Sequence, residues 1–252
     1  MTDDNRQQDH PHLSWRDIGA ALRYPARRQA LSFLAASALG LTITPLAGAL
    51  LGPATHQAAR AALLALSGAS GLAALVMLPS FLVTVIKRSA AGGAGCPGWP
   101  QLADPGALAG TAFKTYAVTA WSSLPAALYL LSLDHPGAGP SLPLLAVLCA
   151  LTGIYLPMSL LRLAITGKLW PSLLPSNVID PIVRTFSSYW MLCLLALAGA
   201  LSLPALLLLA RLPAIGPSLA TFGWLYLSAA AMATLGGFYR AARGRLDWEG
   251  EA

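Results

Sequence analysis

Ser188-Tyr189-Trp190-Met191-Leu192-Cys193-Leu194-Leu195-Ala196-Leu197-Ala198-Gly199-Ala200-Leu201-Ser202-Leu203-Pro204-Ala205-Leu206-Leu207-Leu208-Leu209-Ala210 runs without a single Asp, Glu, Lys, Arg or His. A bilayer core about 30 Å thick takes about 20 apolar residues to cross as a helix. The run is rich in Leu and Ala and does not alternate, so it reads as a membrane helix rather than a barrel strand. Five further charge-free stretches occupy residues 30–52, 61–86, 116–133, 142–161 and 215–239. The third stretch along the chain, 116–133, is the shortest, whereas 61–86 and 215–239 are long enough to tilt. The pattern predicts an all-α integral membrane bundle of six transmembrane helices. Residues 1–29 then form a basic cytoplasmic tail, 30–240 the membrane domain and 241–252 a second cytoplasmic tail.

Composition points the same way. The chain is 56% hydrophobic and 10% charged, against about 25% charged in soluble domains. Net charge is +6, yet no basic run is long enough to neutralise many phosphates, which excludes nucleic acid as a partner. Cys96, Cys149 and Cys193 are odd in number and lack CxxC spacing, so they read as small apolar residues rather than a disulfide framework. The stretch 30–52 follows a basic region, but it is longer than a signal-peptide core, and a retained span is expected.

Positive charge sets the orientation, because Lys and Arg stay on the cytoplasmic side of short loops. The N-terminal tail has Arg6, Arg16, Arg23, Arg27 and Arg28, and the second connection has Lys87, Arg88 and Lys114. The fourth connection has Arg162, Lys168 and Arg184, and the C-terminal tail has Arg240, Arg243 and Arg245. Only Arg60 and Arg211 fall on the opposite side, so fourteen of the sixteen basic residues share one face. An odd number of spans would break this asymmetry. The expected setting is the cell (inner) membrane, multi-pass, with N and C termini cytoplasmic. The aromatic residues Trp15, Trp99, Trp170, Trp190 and Trp248 lie on the same side as interfacial anchors. Arg16, Arg23, Arg27, Arg28, Lys87, Arg88, Arg162, Lys168, Arg184, Arg240 and Arg243 are the expected contacts to anionic lipid headgroups.

Short interfacial helices are expected at 15–28, 108–116 and 177–187. In the last of these, Val178, Ile179, Ile182, Val183 and Phe186 share a face at helical spacing. One arrangement recurs three times: a Trp opening at Trp15, Trp99 and Trp170, two spans, then a basic residue and a Gly. The closing glycines are Gly92, Gly167 and Gly244. Repeats of two spans each insert with one orientation, which gives three parallel helical hairpins. Ordinary cytoplasmic connections, being basic and Gly/Pro-rich, produce a similar look.

Nothing in the chain amounts to a catalytic or cofactor motif, and no cofactor or metal is expected. There is no phosphate-cradling glycine loop, HExxH or GxSxG. His10 and His12 sit in a polar tail; Asp104 and Asp180 read as turn or helix-capping residues. No ionisable group lies inside any span, which argues against proton relays and ion-coupled carriers. Pro45, Pro79, Pro125, Pro157 and Pro204 interrupt five spans, and Gly236-Gly237 takes that place in the sixth. Ala229, Ala233 and Gly237 give a small-residue stripe that permits close helix approach, with a homo-oligomer as one outlet for it.

The segment Arg88, Gly92, Pro97-Gly98-Trp99, the opening Ala21-Leu22-Arg23-Tyr24-Pro25 and the closing Phe238-Tyr239-Arg240 resemble the bacterial and archaeal multi-pass family called domain of unknown function 4013. The resemblance implies a helical membrane fold and brings no functional residues with it. Three functions stay open: a non-enzymatic structural, assembly or scaffold component; a permease for a small neutral or lipid-like solute; and an enzyme acting on lipids at the cytoplasmic face.

Overall fold

The structure, a computed structural model, describes residues 15–51, 57–93, 104–132, 141–213, 215–246 and 248. Among these residues the regular structure is helical throughout, with no strand. The helices are α1 (Trp15–Arg23), α2 (Arg28–Leu51), α3 (Gln57–Ala90), α4 (Pro105–Ser132), α5 (Leu142–Thr166), α6 (Leu169–Leu173), α7 (Pro175–Arg184), α8 (Phe186–Ala210) and α9 (Gly216–Leu246). A 3-10 turn, Tyr24–Ala26, joins α1 to α2.

Each charge-free stretch falls on one of the six long helices. Four helical segments are long and apolar enough to cross a membrane: Gly68–Ala90, Leu142–Thr166, Phe186–Ala210 and Gly216–Leu246. A shorter apolar segment, Ala30–Thr42, lies in α2. α4 has the length, at 28 residues, but Thr115, Tyr116, Thr119, Trp121, Ser122 and Ser123 dilute its apolar character, and it is not among the four. α8 states the solvent most clearly: only 6% of its apolar window is buried. Leu194, Leu197, Leu201, Leu207 and Leu208 all face outward. Water would not tolerate so wide an apolar face on a monomer, whereas lipid solvates it.

α3 and α9 form the centre. α2 packs on both members of the pair, α4 packs on α3, α8 and α7 on α9, and α5 on both. The first core cluster joins Phe33, Leu34 and Ala38 of α2 to Phe81 and Val85 of α3 and Ala229 and Ala233 of α9. The second joins Ile86, Val118, Met158, Leu161, Val178, Tyr189 and Phe238. The seam between α3 and α9 closes at Gly236, where an added Cβ would lie 2.5 Å from the Ile86 carbonyl oxygen and 2.9 Å from the Ala90 nitrogen. Gly237, the residue singled out in the sequence stripe, instead faces open space.

The expected interfacial segments fare differently. Of the expected 15–28, α1 covers Trp15–Arg23 before the 3-10 turn at Pro25 ends it, and it packs on α9. The segment 108–116 is not a separate helix, because Asp104 starts α4 at Pro105 and the helix runs on unbroken. Asp104 Oδ1 accepts from the backbone N–H of Gly106 (2.9 Å) and Ala107 (3.2 Å), an N-cap as its sequence position implied. α7 forms, but the apolar residues expected on one face divide: Val178 and Ile182 turn inward, Ile179 and Val183 stay exposed, and Phe186, also exposed, opens α8 instead. Thr185, 1% exposed, breaks α7 from α8 with its hydroxyl bonded to the Pro181 carbonyl at 2.7 Å.

Of the three closing glycines, two cap helices. Gly92 follows α3 with φ 77° and Gly167 follows α5 with φ 68°, the left-handed turn that glycine adopts without a Cβ penalty. Gly244 lies inside α9, which continues to Leu246.

Candidate functional site

Several basic residues come together where α1, the ends of α3, α5 and α9 and the early part of α4 approach one another. Arg240 Nη1 on α9 lies 3.3 Å from the Cβ position of Gly92, so α3 and α9 reach the same level there. Lys114 Nζ donates to the Gly167 carbonyl at 2.8 Å, tying the early part of α4 to the end of α5. Tyr226 donates to the Leu22 carbonyl at 2.7 Å and holds α1 against α9.

Arg23, Arg27, Arg28, Lys87, Arg88, Lys168, Arg184, Arg240 and Arg243 are exposed. Arg184 pairs with Asp180 at 2.7 Å across one helical turn. Arg162 departs from the group. Grouped on sequence with the headgroup contacts, it is 4% exposed. Its Nη1 donates to the Asn177 carbonyl at 2.6 Å, and its guanidinium carbon sits 5.5 Å from the centroid of Trp248. Trp248 in turn stacks on Tyr239 at 5.9 Å and is itself 3% exposed. These two residues therefore tie α5, α7 and α9 to the tail instead of facing lipid. Trp170 and Trp190 do face outward, at 75% and 54% exposure. The side chains of Trp15 and Arg16, and Trp99 altogether, lie outside the described residues. So do His10 and His12.

Two clefts open beside the joined ends of α3 and α9. The first, of about 440 Å³, lies between α1, the 3-10 turn and those ends, with Arg23, Arg27, Arg240 and Asp17 on its walls. The second, of about 570 Å³, has Lys87 and Arg243 beside Tyr239 and Trp248. A third hollow, of about 370 Å³, is an apolar groove between α4, α5 and α7, lined by Trp121, Leu124, Leu148, Ile154, Ile179 and Ile182. The clefts were not legible in the sequence, since each needs helices distant along the chain.

The hydroxyls scattered along the spans are largely engaged by the helices themselves. Thr42, Thr84, Ser122, Ser159, Ser228 and Thr234 donate to the carbonyl one turn back. Thr152 donates both to Leu148 and to Ser122, joining α5 to α4 at 3.0 Å. Tyr189 donates to the Ile154 carbonyl. Among the described residues, no three His, Cys, Asp or Glu side chains gather as a metal-binding group; Asp104 and Asp180 act at separate helices.

Compared with protein-family models, curated proteins and solved structures, the chain matches none.

Proposed function

We propose that the protein is a six-span membrane protein of the cell (inner) membrane with both termini in the cytoplasm, acting as a structural, assembly or scaffold component rather than an enzyme. The observation that carries this reading is the meeting of α1, the ends of α3, α5 and α9, and α7 at one level, with basic side chains around it. Anionic lipid headgroups are the matching partner for such a rim. The three hairpins α2–α3, α4–α5 and α8–α9 fit the parallel threefold repeat, with interfacial helices before the first and third. The resemblance to domain of unknown function 4013 agrees with this reading and adds no activity.

A permease is the second reading, favoured by Pro79, Pro125, Pro157 and Pro204 inside their helices. Hydroxyls bonded back to helix carbonyls weigh against it, since a polar solute needs free donors and acceptors along its path.

Substituted-cysteine labelling in intact cells, on a background with Cys96, Cys149 and Cys193 replaced by Ala, tests the reading. Cysteines at His56, Asp134 and Arg211 are expected to react with an impermeant maleimide. Those at Arg88, Lys168 and Arg243 are expected to react only after the membrane is opened. One reversed position overturns the six-span arrangement. A labelled position within α5 or α8 that a solute protects moves the case to the permease.

A further inference from the structure

Resting on that membrane reading, we infer that the cleft between α1, the 3-10 turn and the joined ends of α3 and α9 binds a phosphate group, of the kind an anionic phospholipid carries. This goes beyond diffuse attraction of a basic rim to headgroups, because it assigns one built site. Arg23 ends α1, Arg27 stands between the turn and α2, and Arg240 belongs to α9. Three separate segments thus bring guanidinium groups to one hollow of about 440 Å³, with Asp17 the one carboxylate on its walls among the described residues. None of the three arginines forms an ion pair among the described residues, where Arg184 has Asp180.

The floor is left open by small residues. Gly92 takes a left-handed φ of 77°, and a Cβ on it would press on Arg240 Nη1 at 3.3 Å. Gly237 has open space where a side chain would go. The Ser89 and Thr234 hydroxyls are engaged with the carbonyls of Ala233 and Ala230. A ligand therefore meets cationic N–H groups, not free hydroxyls, and a guanidinium fork matches the paired oxygens of a phosphate.

One effect opposes an anion here, because the carboxyl end of α3 carries the negative end of its dipole. That end is answered locally: the N–H groups of Ala91, Gly92 and Gly93 donate to the Lys87, Ser89 and Arg88 carbonyls at 3.0, 3.1 and 2.9 Å. α2 begins at Arg28, directly after Arg27, so a positive dipole end lies at the same rim. Among the described residues, three guanidinium groups against one carboxylate make the cleft cationic.

The test uses the full chain in a neutral maltoside detergent, checked for monodispersity. Binding of short-chain phosphatidylglycerol and phosphatidylcholine is measured by native mass spectrometry and by the shift in thermal midpoint. The variants are Arg23→Gln, Arg27→Gln and Arg240→Gln, singly and together, with Gly237→Leu filling the cleft at unchanged charge. Arg60→Gln and Arg211→Gln, the two basic residues expected on the opposite side, serve as controls. Phosphatidylglycerol affinity is expected to fall about tenfold for each cleft arginine lost, as one charge-assisted contact at a partly exposed site implies. Gly237→Leu falls comparably, the controls stay within about twofold, and phosphatidylcholine does not bind. Glycerol 3-phosphate and inorganic phosphate separate the sources. Weak competition against tight phosphatidylglycerol binding identifies a lipid, and saturation by inorganic phosphate alone, with the same arginine dependence, identifies a free phosphate. Binding that survives the triple variant, or falls equally in the controls, overturns the site and leaves the span arrangement standing.

Discussion

Ser89 donates its hydroxyl proton to the carbonyl of Ala233 over 2.6 Å, although the two residues stand 144 positions apart. The bond fastens α3 to α9 beside Gly236, where a Cβ would meet Ile86 O at 2.5 Å, Ser89 Cβ at 2.7 Å and Ala90 N at 2.9 Å. Two of those obstacles are backbone and cannot rotate away. Gly236→Ala is expected to lower stability by about 1–3 kcal/mol, the usual cost of overpacking, read as a fall in thermal midpoint in detergent. Gly237→Ala, one residue on, is expected to hold or raise the midpoint, since Ala gains up to about 1 kcal/mol over Gly in a helix.

Arg162 and Trp248 form a second fastening. Arg162→Met removes a charged hydrogen bond to the Asn177 carbonyl, worth roughly 1.5–3 kcal/mol. Trp248→Ala removes a side chain that is 3% exposed and stacked on Tyr239, at a cost of about 3 kcal/mol. A double-mutant cycle measures what the pair adds, and a coupling of about 0.5–2 kcal/mol is expected for a shielded cation over an indole. Purely additive losses would show that the ring contact contributes nothing.

The Asp180–Arg184 pair makes the opposite case. Its side chains are 56% and 59% exposed at 2.7 Å separation. Arg184→Ala is expected to shift stability by less than about 0.5 kcal/mol, and added salt to shift it no further. A loss near that of Arg162→Met, read in the same melting experiment, would contradict this ranking.

Single-tryptophan variants in vesicles separate the anchors from the core. Trp170 and Trp190, exposed at 75% and 54%, are expected to be quenched by lipids brominated near the headgroup end of the chain. Trp248 is expected to stay bright, shielded by Tyr239 and Arg162. Strong quenching of Trp248 would place the tail in lipid.

The long helices were legible in the sequence because lipid leaves a local mark, namely twenty or so residues without charge. The stretch 116–133, shortest by that measure, coincides as far as residue 132 with α4, whose hydroxyl and aromatic residues keep it outside the four helices with an apolar window long enough to cross a membrane. The division of α7 was not legible, since helical spacing groups Val178, Ile179, Ile182, Val183 and Phe186 without saying which part meets α5 and α9. Arg162 looked like every other basic residue beside a span. Its inward turn depends on Asn177 and Trp248, one a short connection away and the other far along the chain. The clefts follow the same logic, for no local pattern marks the place where Arg23 will stand beside Arg240.

The meeting of α3 with α9 also sets a schedule for synthesis. At about 5–20 residues per second, the 144 positions between Ser89 and Ala233 take roughly 7 to 29 seconds to make. For that interval the notch that will receive Gly236 stands vacant in the bilayer, and chaperones or neighbouring chains with small-residue faces have access to it.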